Sequence, residues 1–150
     1  MKELKCKVLR ENVQLPAKAH KTDAGIDLFF NPEDGQAVSI NPSESHVLGT
    51  GISCEIPEGM VGLVCNRSSV ASKLGLVVGA HVCDAGYSGE IFINLINTSK
   101  LERIIEPKTK IAQILFLTIG TPSEINVVDE IYEDKDYALR GEKGFGSSGA

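Results

Sequence analysis

The chain has 150 residues, enough for one domain with a substantial core, and its formal net charge of −5 argues against a general binder of nucleic acid or anionic membrane, which carries a basic surface, though not against a small anionic ligand held by a few local donors. Trp is absent, aromatic residues are 5% and Gly is 15 of 150, so the core is aliphatic and the chain turns often. No run approaches the ~20 apolar residues of a membrane span, Met1 to Arg10 is charged and lacks the apolar segment of a secretory leader, and Cys6, Cys54, Cys65 and Cys83 have neither CxxC nor zinc spacing, so we expect small buried thiols in a cytoplasmic protein.

Leu4–Leu9 alternates weakly and reads as a first strand, followed by a polar loop over Pro16–Thr22. Ala24–Phe30 (AGIDLFF) is a short strand with one carboxylate, Asp27; Asn31–Gln36 is turn chemistry and Ala37–Ile40 a strand. Val47–Ile56 contains a strand that ends at Pro57, and Met60–Cys65 forms the next one. Asn66–Gly75 (NRSSVASKLG) is the only stretch suited to a short helix, with Ser68 or Ser69 as its cap and Gly75 closing it. Gly79–Asn97 reads as a β-hairpin with a wide, Gly-supported turn, in which Ile91, Ile93 and Leu95 share one face and Phe92, Asn94 and Ile96 the other. Thr98–Pro107 is a charged loop, Thr109–Ile119 the most continuous apolar strand, Asp129–Asp136 an acidic exposed stretch and Arg140–Ala150 a Gly/Ser tail. Strands recur with turns between them and no repeat, which predicts an all-β jelly-roll-like barrel or sandwich with one short helix. We expect a β domain over 1–139 and a flexible Gly-rich arm over 140–150.

Few residues carry chemistry. Asp84 and Tyr87 stand in the wide turn, where glycines let backbone approach a ligand; an Asp in a turn is also simply a turn residue. Arg67, Ser68 and Ser69 sit at a strand-to-helix junction and suit an anion, or else cap a helix beside a surface Arg. In the tail, Gly141, Gly144, Gly146 and Gly149 can turn N–H groups onto one anion, with Arg140, Lys143, Ser147 and Ser148 adding donors and Phe145 a ring that can stack; the alternative is a disordered terminus. Asp27 and Gln113 are single polar residues on apolar strands, and such groups are commonly satisfied within the core. His20 and His46 fall in polar loops and are expected to be solvated. No local Ser-His-Asp, Cys-His or ligand-spaced acidic set is present.

In this order the stretches AGIDLFF, NRSSVASKLG, VCDAGYSG, KIAQILF and RGEKGFGSSG resemble the five motifs of the trimeric dUTPase family, over nearly the whole chain. Asn66 stands where that family usually has Pro or Gly, Cys83 where Ile is common, and Ser148 where Thr is common. The resemblance implies a homotrimeric jelly roll with active sites at subunit interfaces, each closed by a tail, and the reaction of dUTP with water to give dUMP and pyrophosphate. It implies Asp84 as the general base for water attacking the α-phosphorus. Mg²⁺ would chelate the triphosphate and meet the protein mainly through waters, with Asp27 near that shell. Arg67, Ser68, Ser69 and Gln113 would contact phosphates, while Arg140, Gly146, Ser147 and Ser148 hold the γ-phosphate. Tyr87 would pack under the deoxyribose; His81, Val82, Cys83 and Phe92 would read uracil through backbone; Phe145 would stack on the base.

RSSVASKLGL and the Ala80-His81 pair also resemble the dCTP deaminases of the same superfamily. That chemistry needs a Glu where this chain has Asn94, and a supporting Arg where it has Ser72. A third reading is a dUTPase-like binding or regulatory protein, which would need no general base.

Overall fold

The computed structural model describes residues 3–132. Two compact units divide the chain, Met1–Gly120 and Thr121–Ala150. The described part of the second unit, 121–132, carries neither strand nor helix. The expected boundary at 139/140 and the arm with Arg140, Phe145, Gly146, Ser147 and Ser148 lie outside the described residues.

The first unit is a jelly roll of short strands: β1 (Cys6–Val8), β2 (Ile26–Phe29), β3 (Val38–Ile40), β4 (Ser45–Gly49), β5 (Ile52–Cys54), β6 (Met60–Cys65), β7 (Leu76–Val78), β8 (Val82–Cys83), β9 (Phe92–Asn97), β10 (Arg103–Ile105) and β11 (Lys110–Thr118). They form sheets in the orders β2-β11-β6-β8, β4-β9-β7, β1-β5 and β10-β3. Every pairing is antiparallel.

The expected alternation along β9 holds. Ile91, Ile93 and Leu95 are buried at 2%, 0% and 0% exposure, while Phe92 is 50% exposed. Leu28, Ile40, Ile52, Leu76, Ile111 and Ile114 complete an aliphatic core. Each such side chain contributes about 1.5–3 kcal/mol by leaving water.

Several expectations are corrected. The stretch 79–97 is not a hairpin: Val82 and Cys83 pair with Leu63 and Gly62 of β6, whereas β9 pairs with β4 and β7 in another sheet. The turn at 84–90 therefore carries the chain from one sheet to the other. Thr98–Pro107 is not wholly a loop, because β10 pairs with β3. Asn97, fully buried, directs this: its Nδ2 donates to Ile40 O and Leu101 O, both at 2.8 Å, and its Oδ1 accepts from Ser99 N–H at 2.9 Å. The strand within 47–56 is two strands, separated at Thr50–Gly51, where Gly51 has a φ of 69°. His46 lies in β4 and is half-buried, not in a loop.

The short helix is a single π-helical turn, Val70–Leu74. Gly75 closes it as expected, with a φ of 67° and its N–H on Ala71 O. Ser69 makes no side-chain capping bond. Arg103 Nε instead ties the far end of the turn by donating to Leu74 O at 2.7 Å. Of the cysteines, Cys54 is buried and Cys65 and Cys83 are half-buried; Cys6 is exposed, because β1 is an edge strand with no buried face.

Candidate active site

Asp27, Gln113 and Cys65 sit side by side on β2, β11 and β6. Arg67 follows β6 and reaches back across this row to donate from Nε to Asp27 Oδ1 at 2.7 Å. The other carboxylate oxygen meets Lys110 Nζ at 2.8 Å. A register shift between Lys110 and Ala112 re-aims the start of β11 for that contact. Burial alone would push the Asp27 carboxyl up, but hydrogen bonds and charge from Lys110 and Arg67 outweigh it and hold the group below the usual carboxylate range.

Gln113 is fixed from two sides. Its Nε2 donates to Asn66 O at 2.8 Å. A Cβ on Gly25 would lie 2.0 Å from Gln113 Oε1, so the glycine provides its space. The Asn66 side chain accepts from Val78 N–H at 2.6 Å, which ties the end of β6 to β7. These groups surround a cavity of about 350 Å³ lined by Asp23, Gly25, Asp27, Arg67, Ser68, Ser69 and Gln113. Planar guanidinium, hydroxyls and an amide around one opening form a donor set for phosphate oxygens.

Of the other expected residues, Asp84, Tyr87, His81, Val82 and Cys83 lie together along β8 and the turn after it. Asp84 is exposed; its carbonyl accepts from Tyr87 N–H at 3.2 Å, and Gly86 supports the turn with a φ of 85°. Tyr87 donates its hydroxyl to Glu90 O at 2.9 Å, over Gly89, where a Cβ would lie 2.5 Å from that hydroxyl. Glu90 Oε1 accepts from Gly51 N–H at 2.7 Å and pairs with Arg10, anchoring the turn to the β4–β5 corner. His81 closes β8 onto β6: its Nδ1 lies 2.6 Å from Val64 O, and its own carbonyl accepts from Val64 N–H at 2.7 Å. Val82 is exposed and Cys83 half-buried; burial, then the Asp84 carboxylate, pushes the Cys83 thiol up. Phe92 is exposed but pairs with Gly49, in the other sheet.

One chain does not unite the two groups. β2 and β8 are three strand spacings apart, and Asp84, just past the end of β8, lies about four residues along the chain from the level of Asp27. At about 4.8 Å per spacing and ~3.3 Å per residue, Asp27 and Asp84 stand on the order of 20 Å apart. Sequence reasoning missed Lys110, Gly25, Asn66 and Asp23. Lys110 opens an apolar strand and has no local partner; only the pairing of β11 with β2 gives it one. Among the described residues no three His, Cys, Asp or Glu side chains gather as a metal site, and no helix is long and apolar enough to cross a membrane.

A family model described as dUTPase matches residues 11–149. The chain is 40% identical over 150 residues to the deoxyuridine 5'-triphosphate nucleotidohydrolase of Clostridium tetani, spanning 97% of this chain and 96% of that protein. It is 38% identical over 144 residues to the enzyme of the same name from Mycobacterium sp. (strain JLS), spanning 94% and 91%. Among solved structures it resembles the Staphylococcus bacteriophage 80alpha dUTPase with dUpNHpp, with a TM-score of 0.83 and 34% identity over 100% of both chains. It also resembles a mutant dUTPase from phage phi11 of S. aureus, solved for the coordination of a structural Mg(II) ion, with a TM-score of 0.77 and 34% identity over 88% and 99%.

Proposed function

This chain belongs to the dUTPase family, and from that premise we infer that it hydrolyses dUTP to dUMP and pyrophosphate, limiting uracil in DNA and supplying dUMP for dTMP synthesis. The observation that carries the assignment of residues is the convergence of Arg67, Ser68, Ser69 and Gln113 on one cavity, with Arg67 held by Asp27. We assign these four to the phosphates. Asp27 positions Arg67, and Lys110 offsets its remaining charge. Tyr87 packs under the deoxyribose, where its ring leaves no room for a 2′-hydroxyl. Backbone at His81, Val82, Cys83 and Phe92 reads uracil, since the 4-position changes from acceptor to donor in cytosine. Arg140, Gly146, Ser147 and Ser148 close on the γ-phosphate, and Phe145 stacks on the base.

Asp84 is the general base. It accepts a proton from water as the water oxygen bonds to the α-phosphorus; the bond to the bridging oxygen breaks, and pyrophosphate leaves. Such a displacement depends on alignment and charge stabilisation more than on covalent help.

The residues fit a magnesium ion that arrives with its triphosphate, not one held by a protein cage: among the described residues no acidic cluster gathers, and both Asp27 oxygens face cations. Bound in that way, Mg²⁺ would neutralise the triphosphate. Asp27 would touch such an ion only through its waters.

The separation of Asp84 from the phosphate cavity supports a homotrimer whose sites each draw on more than one subunit. Free thiols at all four cysteines fit a cytoplasmic setting.

Deamination of dCTP is the second reading. Asn94 stands at its proton-transfer position, with Oδ1 buried and unpartnered, and a neutral amide cannot shuttle a proton. The test is purified protein with Mg²⁺ and either dUTP or dCTP, following pyrophosphate and ammonia separately. Pyrophosphate from dUTP without ammonia from dCTP is expected. Ammonia from dCTP would overturn the assignment, and no product from either would move the chain to the binding class.

A further inference from the structure

Cys6 of β1 lies directly opposite Cys54 of β5. Glu55 N–H donates to Lys5 O and Leu9 N–H to Gly51 O, each at 2.9 Å. Hydrogen-bonded pairs alternate along an antiparallel ladder, so Cys6 and Cys54 occupy a non-hydrogen-bonded position. Cα atoms there approach to about 4.5 Å, inside the ~4.4–6.8 Å range a disulfide spans. The two Sγ atoms are 2.9 Å apart, and both thiols are free. Cys6 is exposed and Cys54 lies behind it, 5% exposed. The hydrolytic chemistry uses neither residue.

We infer that Cys6 and Cys54 are a reversible dithiol–disulfide pair, Cys6 attacking and Cys54 resolving, with a small disulfide of the oxidised-glutathione class as co-reactant. The Cys54 bond holds the Cys6 thiol low against the effect of burial, which favours its thiolate. The thiolate attacks one sulfur of RSSR; a mixed disulfide forms and RS⁻ leaves. The Cys54 thiol is pushed up first by its bond to Cys6, then by burial and by the charges of Cys6 and Cys83. Capping Cys6 removes its bond and its charge. Cys54 then loses its proton, attacks the Cys6 sulfur and expels the second RS⁻. Each RS⁻ takes up a proton released by a cysteine. In total two protein thiols lose two electrons and RSSR becomes two RSH.

The bond would staple the edge strand β1 onto β5, across 48 residues of sequence. Cys6 and Cys54 also line a cavity of about 570 Å³, larger than the phosphate cavity, together with Gly86, Tyr87 and Ser88. Oxidation would therefore stiffen a cavity lining shared with the sugar-binding turn.

The test uses the full chain incubated with oxidised glutathione. Thiols are then counted in denaturant, linked peptides are mapped without reduction, and melting is recorded. The count should fall from four to two, a Cys6–Cys54 peptide should appear, and melting should rise by about 5–10 °C, all reversed by dithiothreitol. Cys6→Ser, a change at an exposed position, should fold and show no link and no rise. An undiminished count, glutathione retained on Cys6, a link through Cys65 or Cys83, or unchanged melting would each overturn the inference.

Discussion

Gly25 and Gln113 occupy one volume: a Cβ on residue 25 would lie 2.0 Å from Gln113 Oε1. The glycine carries no positive φ, so space and not backbone freedom requires it. Gly25→Ala should expel the Gln113 amide from its bond to Asn66 O, weaken dUTP binding about tenfold and cost ~1–3 kcal/mol of stability. The double variant Gly25→Ala/Gln113→Ala should regain stability but not affinity. Steady-state kinetics and melting curves on both variants separate crowding from loss of the phosphate contact.

Asp84→Asn should lower turnover by at least about 10²–10⁴-fold, because the amide cannot accept the proton of the attacking water. Binding of dUpNHpp, measured by calorimetry, should change little, since the donors around the phosphate cavity are untouched. Loss of binding along with turnover would assign Asp84 to ground-state recognition.

Asp27 makes stability pH-dependent in a definite direction. Its native pKa is lowered below the unfolded value of about 3.9, so its contribution is fully present above that value. The contribution is lost as pH falls through the native pKa, where Arg67 and Lys110 lose their anionic partner. Asp27→Asn should lower melting at neutral pH and flatten the decline between about pH 5 and pH 2. Melting curves across that range for both proteins provide the comparison, and parallel curves would contradict the pairing.

Ending the chain at residue 139 should leave the strands intact by circular dichroism yet reduce turnover by orders of magnitude, because the arm with Arg140 and Phe145 is assigned to the γ-phosphate and base. Full activity without those residues would refute that assignment.

What was legible in the sequence was local. The alternation through Ile91, Ile93 and Leu95 announced a strand with one buried face, and the closing role of Gly75 followed from its position after an apolar turn. Alternation does not say which strand lies alongside, so β8 and β9 were joined in a hairpin although they belong to different sheets. β10 was hidden because three residues among charges are too few for a pattern, and a buried Asn97 holds the chain in place. Arg67, Ser68 and Ser69 suited an anion by residue type, whereas Gln113 read as a group satisfied within the core and entered the site only through the family resemblance. Lys110 became part of the site only through the register of β11 on β2, and Asn66 only through its bonds to Gln113 and Val78. A histidine with no assigned structural role, His81, proved to fasten β8 to Val64.

The separation of Asp84 from the phosphate cavity has a genetic consequence. A copy lacking the Asp84 carboxylate still supplies an intact Arg67, and a copy lacking Arg67 still supplies an intact Asp84. If each site draws these residues from different subunits, two alleles that are each dead alone can rescue one another in a mixed assembly. Co-expression of Asp84→Asn with Arg67→Ala should restore a fraction of wild-type turnover that neither variant shows by itself, and the fraction should follow the ratio of the two chains. In a cell carrying both, the defects would behave as complementing rather than as additive.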